Sequence, residues 1–186
     1  MFIQTETTPN PTTLKFLPGR VVLESGTADF PTVETAGASP LAQRLFAVAG
    51  VGGVFLGNDF ITVTKSKGEW QHLKPAVLGA IMEHFLSGAP TIANGESNDH
   101  DDDEFFDEKD STTVATIRNL LDTRVRPAVA QDGGDITFRG FRDGVVYLNM
   151  RGACAGCPSS TATLRSGIQN LFRHFLPEVR EVRPVE

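Results

Sequence analysis

Cys154 and Cys157 sit two residues apart in the stretch GACAGCPSS (152–160), and they are the only cysteines in the 186-residue chain. Two thiols at this spacing can close a redox disulfide, supply half of a zinc site, or supply half of an iron–sulfur site. Pro158 suits the first position of a helix, which makes Cys157 the expected N-cap. A thiol there feels the positive end of the helix macrodipole and unpaired N–H donors. At least one of the two is therefore expected as a thiolate at neutral pH, with Arg151 adding to the field. Gly152, Ala155 and Gly156 are small, and they are expected to leave the sulfurs uncovered, as a cluster or an attacking partner requires.

The rest of the chain narrows these chemistries. A thioredoxin-type motif follows the first strand of a βαβ unit and carries an aromatic before its leading cysteine. Here Ala153 precedes Cys154, and the motif falls late, after a hairpin. A closed zinc site wants four ligands, and no histidine stands at finger spacing. His174 lies roughly 25 Å along the expected helix at about 1.5 Å per residue. A [4Fe-4S] cluster also wants four thiolates, which two copies meeting across a two-fold axis supply. The residues alone leave the cluster and the redox couple open.

The elements that must position the pair begin at Ser111, a candidate N-cap for a helix through TTVATIRNLLDTRVRPAVAQ with Val114, Ile117, Leu120, Leu121 and Val125 as its stripe. Pro127 is expected to end or kink it. DGGD (132–135) supplies a turn with glycine in the left-handed position, and Asp132 and Asp135 read as turn and cap residues rather than ligands. Two strands joined by Arg142-Asp-Gly follow, then the cysteine loop. A helix with Leu164, Ile168, Leu171, Phe172 and Phe175 on one face comes next, and the strand VREVRPV closes the unit.

Ahead of this lie the strands FIQTETT and TLKFL, a helix capped by Ser39 with Pro40 at its start, and the hairpin GVFLGNDFITVTK. A second helix is expected after Lys74-Pro75, with Leu73, Val77, Leu78, Ile81, Met82 and Phe85 at helical spacing. His72 and His84 are expected at the surface or as caps. The fold class is thus α+β, two small mixed domains: ββαββα over 1–88 and αββαβ over 111–186. A flexible acidic linker over 89–110 joins them.

The net charge of −6 divides as −1 over residues 1–90, −8 over 91–110 and +3 over 111–186, where ten arginines and no lysine stand. The acid run reads as a self-repelling tether, although Phe105 and Phe106 within it are candidates to pack on a domain. No apolar run approaches the roughly 18 residues of a membrane span. The start MFIQTETTPNPTT lacks a basic and an apolar region, so no secretory signal is expected. The expected localisation is cytoplasmic, or organellar after loss of a presequence.

RPAVAQDGGDITFRGFRDGVVYLNMRGACAGCPSSTATLRSGI (126–168) closely resembles the carboxyl-terminal domain of NifU-like (Nfu) iron–sulfur proteins, through the DGGD turn, the GAC-x-GCPSS loop and the TL-x-x-GI helix start. FIQTETTPNPTTLKFLPGRVVLESGTADF, SPLAQRLFAVAGVGGVFLGNDFITVTK and W-x-x-L-K-P resemble the Nfu amino-terminal domain. The resemblance implies a carrier, not an enzyme, that binds a [4Fe-4S] cluster between two subunits through Cys154 and Cys157 of each. It implies a homodimer when loaded, upstream assembly proteins, apo iron–sulfur targets, and neither nucleic acid nor membrane as partner. Arg151 is inferred to offset the anionic cluster. The alternatives are a dithiol oxidoreductase and a zinc-binding interaction module.

Overall fold

The computed structural model describes residues 2–93, 104–154 and 158–185. They form two compact units that divide between Asp99 and His100.

In the amino-terminal unit the chain runs β1 (Gln4–Thr7), β2 (Thr13–Leu17), β3 (Ala28–Phe30), a 3-10 turn, α1 (Pro40–Phe46), β4 (Val51–Leu56), β5 (Ile61–Lys65) and α2 (Trp70–Ser87). The five strands make one antiparallel sheet in the order β1-β2-β5-β4-β3. Strand alternation sends Leu14, Phe16, Val54, Leu56, Ile61 and Val63 into a single core with Leu41 and Leu45 of α1 and Val77 and Ile81 of α2. Ser39 caps α1 as expected: its Oγ accepts from Ala42 N–H at 3.1 Å and donates to Thr91 O at 2.6 Å.

Three details differ from the sequence expectation. β3 is additional: Ala-Asp-Phe is too short to show alternation, and pairing with β4 holds it in place. α2 begins at Trp70, so Pro75 lies inside it. Its first turn is fixed from outside, by Trp70 Nε1 donating to Pro11 O at 3.3 Å and by Leu73 packing against Gly50. The proline rule looks only along the chain and misses both.

His84 is the third. It is fully buried, one turn beyond Ile81 on the apolar stripe, and neither ring nitrogen has a hydrogen-bond partner among the described residues. Burial, and then the charge of Arg44, lower its pKa below the ordinary 6.5. The fold holds the neutral ring, so below about pH 6.5 the unfolded chain takes up its proton first and stability falls with falling pH. His84→Leu is expected to flatten the decline of the urea midpoint between about pH 7 and pH 5. An unchanged slope in the variant assigns the decline to another group.

The carboxyl-terminal unit runs α3 (Ser111–Leu120), a π-helical turn at Leu121–Val125, α4 (Arg126–Gln131), β6 (Gly134–Arg142), β7 (Val145–Gly152), α5 (Pro158–Phe175) and β8 (Glu181–Val185). β6 and β7 form a hairpin, and β8 returns parallel to β7 by way of α5. Asp143 (φ 53°) and Gly144 (φ 78°) make its two-residue turn, and positive φ at both positions is what that turn needs. Val114, Ile117, Leu121 and Val125 meet Ile136, Val146 and Leu148 of the sheet and Ile168 and Phe172 of α5 in one core.

Ser111 is already the first helical residue, after a 3-10 turn at Glu108–Asp110, and Asp110 occupies the cap position. Pro127 neither stops the helix nor breaks its packing. The π-helical turn just before it widens the ladder, with Arg126 N–H reaching Leu121 O. Helices take up an awkward residue in this way.

The expected linker over 89–110 carries structure at both ends. Ala93 N–H donates to Ala38 O at 2.8 Å, and Phe105 exchanges backbone hydrogen bonds with β6. Residues 94–103 lie outside the described residues.

Candidate functional site

β7 delivers the cysteine loop. The strand ends at Gly152, whose φ of 68° turns the chain back toward the start of β6. Gly133, in the DGGD turn, has φ 82° and accepts from Ala153 N–H at 3.2 Å. Gly134 pairs with Gly152, so two glycine corners lie side by side.

Cys154 lies in this corner. It is 6% exposed and belongs to the apolar core of the unit. A Cβ on Gly134 would stand 2.7 Å from its Sγ and 2.8 Å from Arg151 O, so only glycine leaves room for the sulfur. Burial pushes the thiol up to about 12, and the nearby carboxylates of Asp132 and then Asp135 push the same way. Cys154 is therefore a covered, neutral thiol. The expectation of an uncovered thiolate fails for it on both counts. It lies ahead of Pro158, where α5 begins, and is not the residue next to the helix to which the dipole argument applies. The carboxylates of Asp132 and Asp135 oppose the thiolate together with burial.

Cys157, its expected N-cap role and its ligand role lie outside the described residues. Among the described residues no three His, Cys, Asp or Glu side chains gather as a metal site.

An ion pair braces the floor of the corner. Asp135 is buried and accepts from Arg126 Nε at 2.9 Å, from Arg126 Nη2 at 2.8 Å and from Ile136 N–H at 2.9 Å. Arg126 also reaches Asp122 at 3.2 Å. The two carboxylates hold the guanidinium pKa above its usual range, the Asp135 hydrogen bonds most of all. Asp132 closes α4, its N–H donating to Val129 O at 3.0 Å. Asp132 thus stands at a helix cap as expected, whereas Asp135 lies on β6 and anchors Arg126 instead of a turn.

Sequence reasoning missed Gly134 and Arg126. The second glycine of DGGD signalled the first. Nothing signalled Arg126, because the π-helical turn that places it depends on tertiary packing.

Gly134→Ala tests the corner. The new Cβ meets backbone as well as sulfur, so the cost is expected at about 1–3 kcal/mol in chemical denaturation. Cys154 is expected to become more reactive toward iodoacetamide at neutral pH, read by peptide mass mapping. Unchanged stability and reactivity would show that the corner yields freely.

Two family models cover most of the chain. Residues 3–88 match the one described as scaffold protein Nfu/NifU N terminal, and residues 117–183 match the NifU-like domain. The chain belongs to the Nfu/NifU-like family. It is 50% identical over 191 residues to a human protein named NFU1 iron-sulfur cluster scaffold homolog, mitochondrial, covering 100% of this chain and 72% of that one. It is 50% identical over 185 residues to NifU-like protein 4, mitochondrial, of Arabidopsis thaliana, covering 98% and 65%. This Nfu/NifU-like chain thus spans about two thirds of the length of the curated relatives it matches. A solution NMR structure of a NifU-like protein from Saccharomyces cerevisiae matches 50% of the chain and 86% of its own, at 26% identity and a TM-score of 0.44. Within the NifU-like match fall both glycine corners, the Arg126–Asp135 pair, Cys154 and Cys157.

Proposed function

We propose that this Nfu/NifU-like chain is an iron–sulfur cluster scaffold and carrier. Its cargo is a [4Fe-4S] cluster held between two copies by Cys154 and Cys157 of each, and apo iron–sulfur proteins receive it. The observation that carries the proposal is the pair of cysteines two residues apart in the loop between β7 and α5. It lies inside a domain match shared with relatives named as iron-sulfur cluster scaffolds.

Two thiols per copy meet the demand for four only when two copies combine. Cys154 is covered in the cargo-free chain, so loading requires the corner at Gly134 to open and the thiol to lose its proton. On delivery, Cys154 and Cys157 give way in turn to the thiolates of the acceptor. That is ligand exchange without turnover, and the chain acts as a carrier, not an enzyme. The relatives are named as mitochondrial, which supports the organellar alternative for localisation.

Anaerobic reconstitution with iron and sulfide, followed by light scattering and iron analysis, tests the proposal. The expected result is one cluster per two chains, and a shift toward monomer when a chelator strips the iron. A loaded monomer with about four irons per chain overturns it, because one chain has only two thiols to give.

A further inference from the structure

β6 is an outer strand of its sheet, and an outer strand offers backbone donors and acceptors to any further strand that fits. Part of this chain already fits. Phe105 N–H donates to Arg139 O at 3.1 Å, and Phe105 O accepts from Phe141 N–H at 2.9 Å, which makes a parallel bridge centred on Gly140. The strand bulges between Phe138 and Gly140, and bulges re-aim an edge.

The side chains around the bridge form a groove with three chemical demands. Gly140 opens a niche for the Phe105 ring, since a Cβ there would stand 2.5 Å from it. That ring lies 5.2 Å from Tyr147 and 5.3 Å from the Arg142 guanidinium. Phe106 lies 6.4 Å from Phe138, with Arg118 over both rings at 5.7 and 5.4 Å. The Glu104 carboxylate pairs with Arg118. An acid, an aromatic for the niche and a second aromatic are satisfied in sequence by Glu104-Phe105-Phe106.

We propose that the edge of β6 is a recognition groove for an extended acid–aromatic–aromatic segment. Glu104–Phe106 fills it in cis, and a partner protein docks by supplying such a segment as an added strand. Strand addition gains main-chain hydrogen bonds for affinity and uses side-chain pockets for specificity. The net +3 of residues 111–186 favours an acidic segment. A tethered occupant competes at an effective concentration on the order of millimolar, so a partner must offer more than the same three residues. The groove thus keeps out partners that offer no more than those three residues. None of this depends on the cargo assignment.

The test uses the full chain with Phe105→Ala and Phe106→Ala, which empties the groove. The probe is a fluorescent peptide of residues 104–110, read by anisotropy. The peptide is expected to bind the emptied chain at least about tenfold more tightly than the unaltered one, where the cis segment competes. Binding is expected to be lost when both peptide phenylalanines are alanine, and when Gly140→Ala is added to fill the niche. If the emptied chain does not fold, Glu104→Lys loosens the cis segment by setting a cation against Arg118, and it reads the same ratio. Equal binding to the loosened and unaltered chains, or no binding to a folded loosened chain, overturns the proposal.

Discussion

Cys154→Ser and Cys157→Ser are each expected to abolish stable cluster loading. Either change leaves two copies with two thiolates between them where a [4Fe-4S] cargo wants four. Loss of a mere hydrogen-bonding partner of a ligand costs about 10- to 100-fold in metal affinity, and a missing ligand costs more. Iron and acid-labile sulfide after anaerobic reconstitution are therefore expected to fall by more than about tenfold in each variant. The two substitutions differ in one respect. Cys154 is part of the apolar core, so Cys154→Ser also sets a hydroxyl in that core, and a drop in apo-protein stability accompanies it. Full iron in either single variant refutes the ligand assignment.

Arg126→Met is expected to have the largest effect on the cargo-free chain. It takes both guanidinium hydrogen bonds from the buried Asp135 carboxylate, which keeps the backbone N–H of Ile136 among its partners. Breaking a buried pair from one side costs about 3–5 kcal/mol. The lower end applies, because Arg126 is a third exposed and water softens the loss. A fall of about 3 kcal/mol in unfolding free energy is thus expected from urea titration. The double variant Arg126→Met with Asp135→Asn is expected to recover part of it, since the stranded charge is gone. A double variant no better than the single one shows that the loss comes from packing of the long side chain and not from the bare carboxylate.

Much of the fold is legible in local pattern. The stripe Val114, Ile117, Leu121, Val125 and the strand alternation around Leu14 and Phe16 fix which faces turn inward, because apolar burial acts on every such residue alike. Ser39-Pro40 and Asp143-Gly144 mark a helix start and a tight turn through their own backbone preferences. Failures occur where a distant contact decides. Trp70 begins α2 because Pro11 and Gly50 receive its first turn. His84 was legible from its spacing to Val77 and Ile81, yet residue type pointed to the surface. At the site, the cysteine spacing and the DGGD turn were visible. The covering of Cys154 was not, since it depends on Asp132 at the end of α4 and Gly134 and Asp135 at the start of β6 being brought to the thiol.

The route by which β8 joins its sheet sets an order of events during folding. β6 and β7 meet across a two-residue turn, so their ladder closes over short loops and forms early. β8 pairs with β7 only after the chain has travelled through the cysteine loop and all of α5, and such distant parallel pairing is intrinsically slow. The crossover through α5 therefore belongs to the last stretch of chain to settle, after the hairpin that brings Gly134 to Gly152. Pulse-labelled hydrogen exchange during refolding is expected to protect the amides of β7 that bond β6 before those that bond β8. Simultaneous protection of both sets would mean that hairpin and crossover form as one unit.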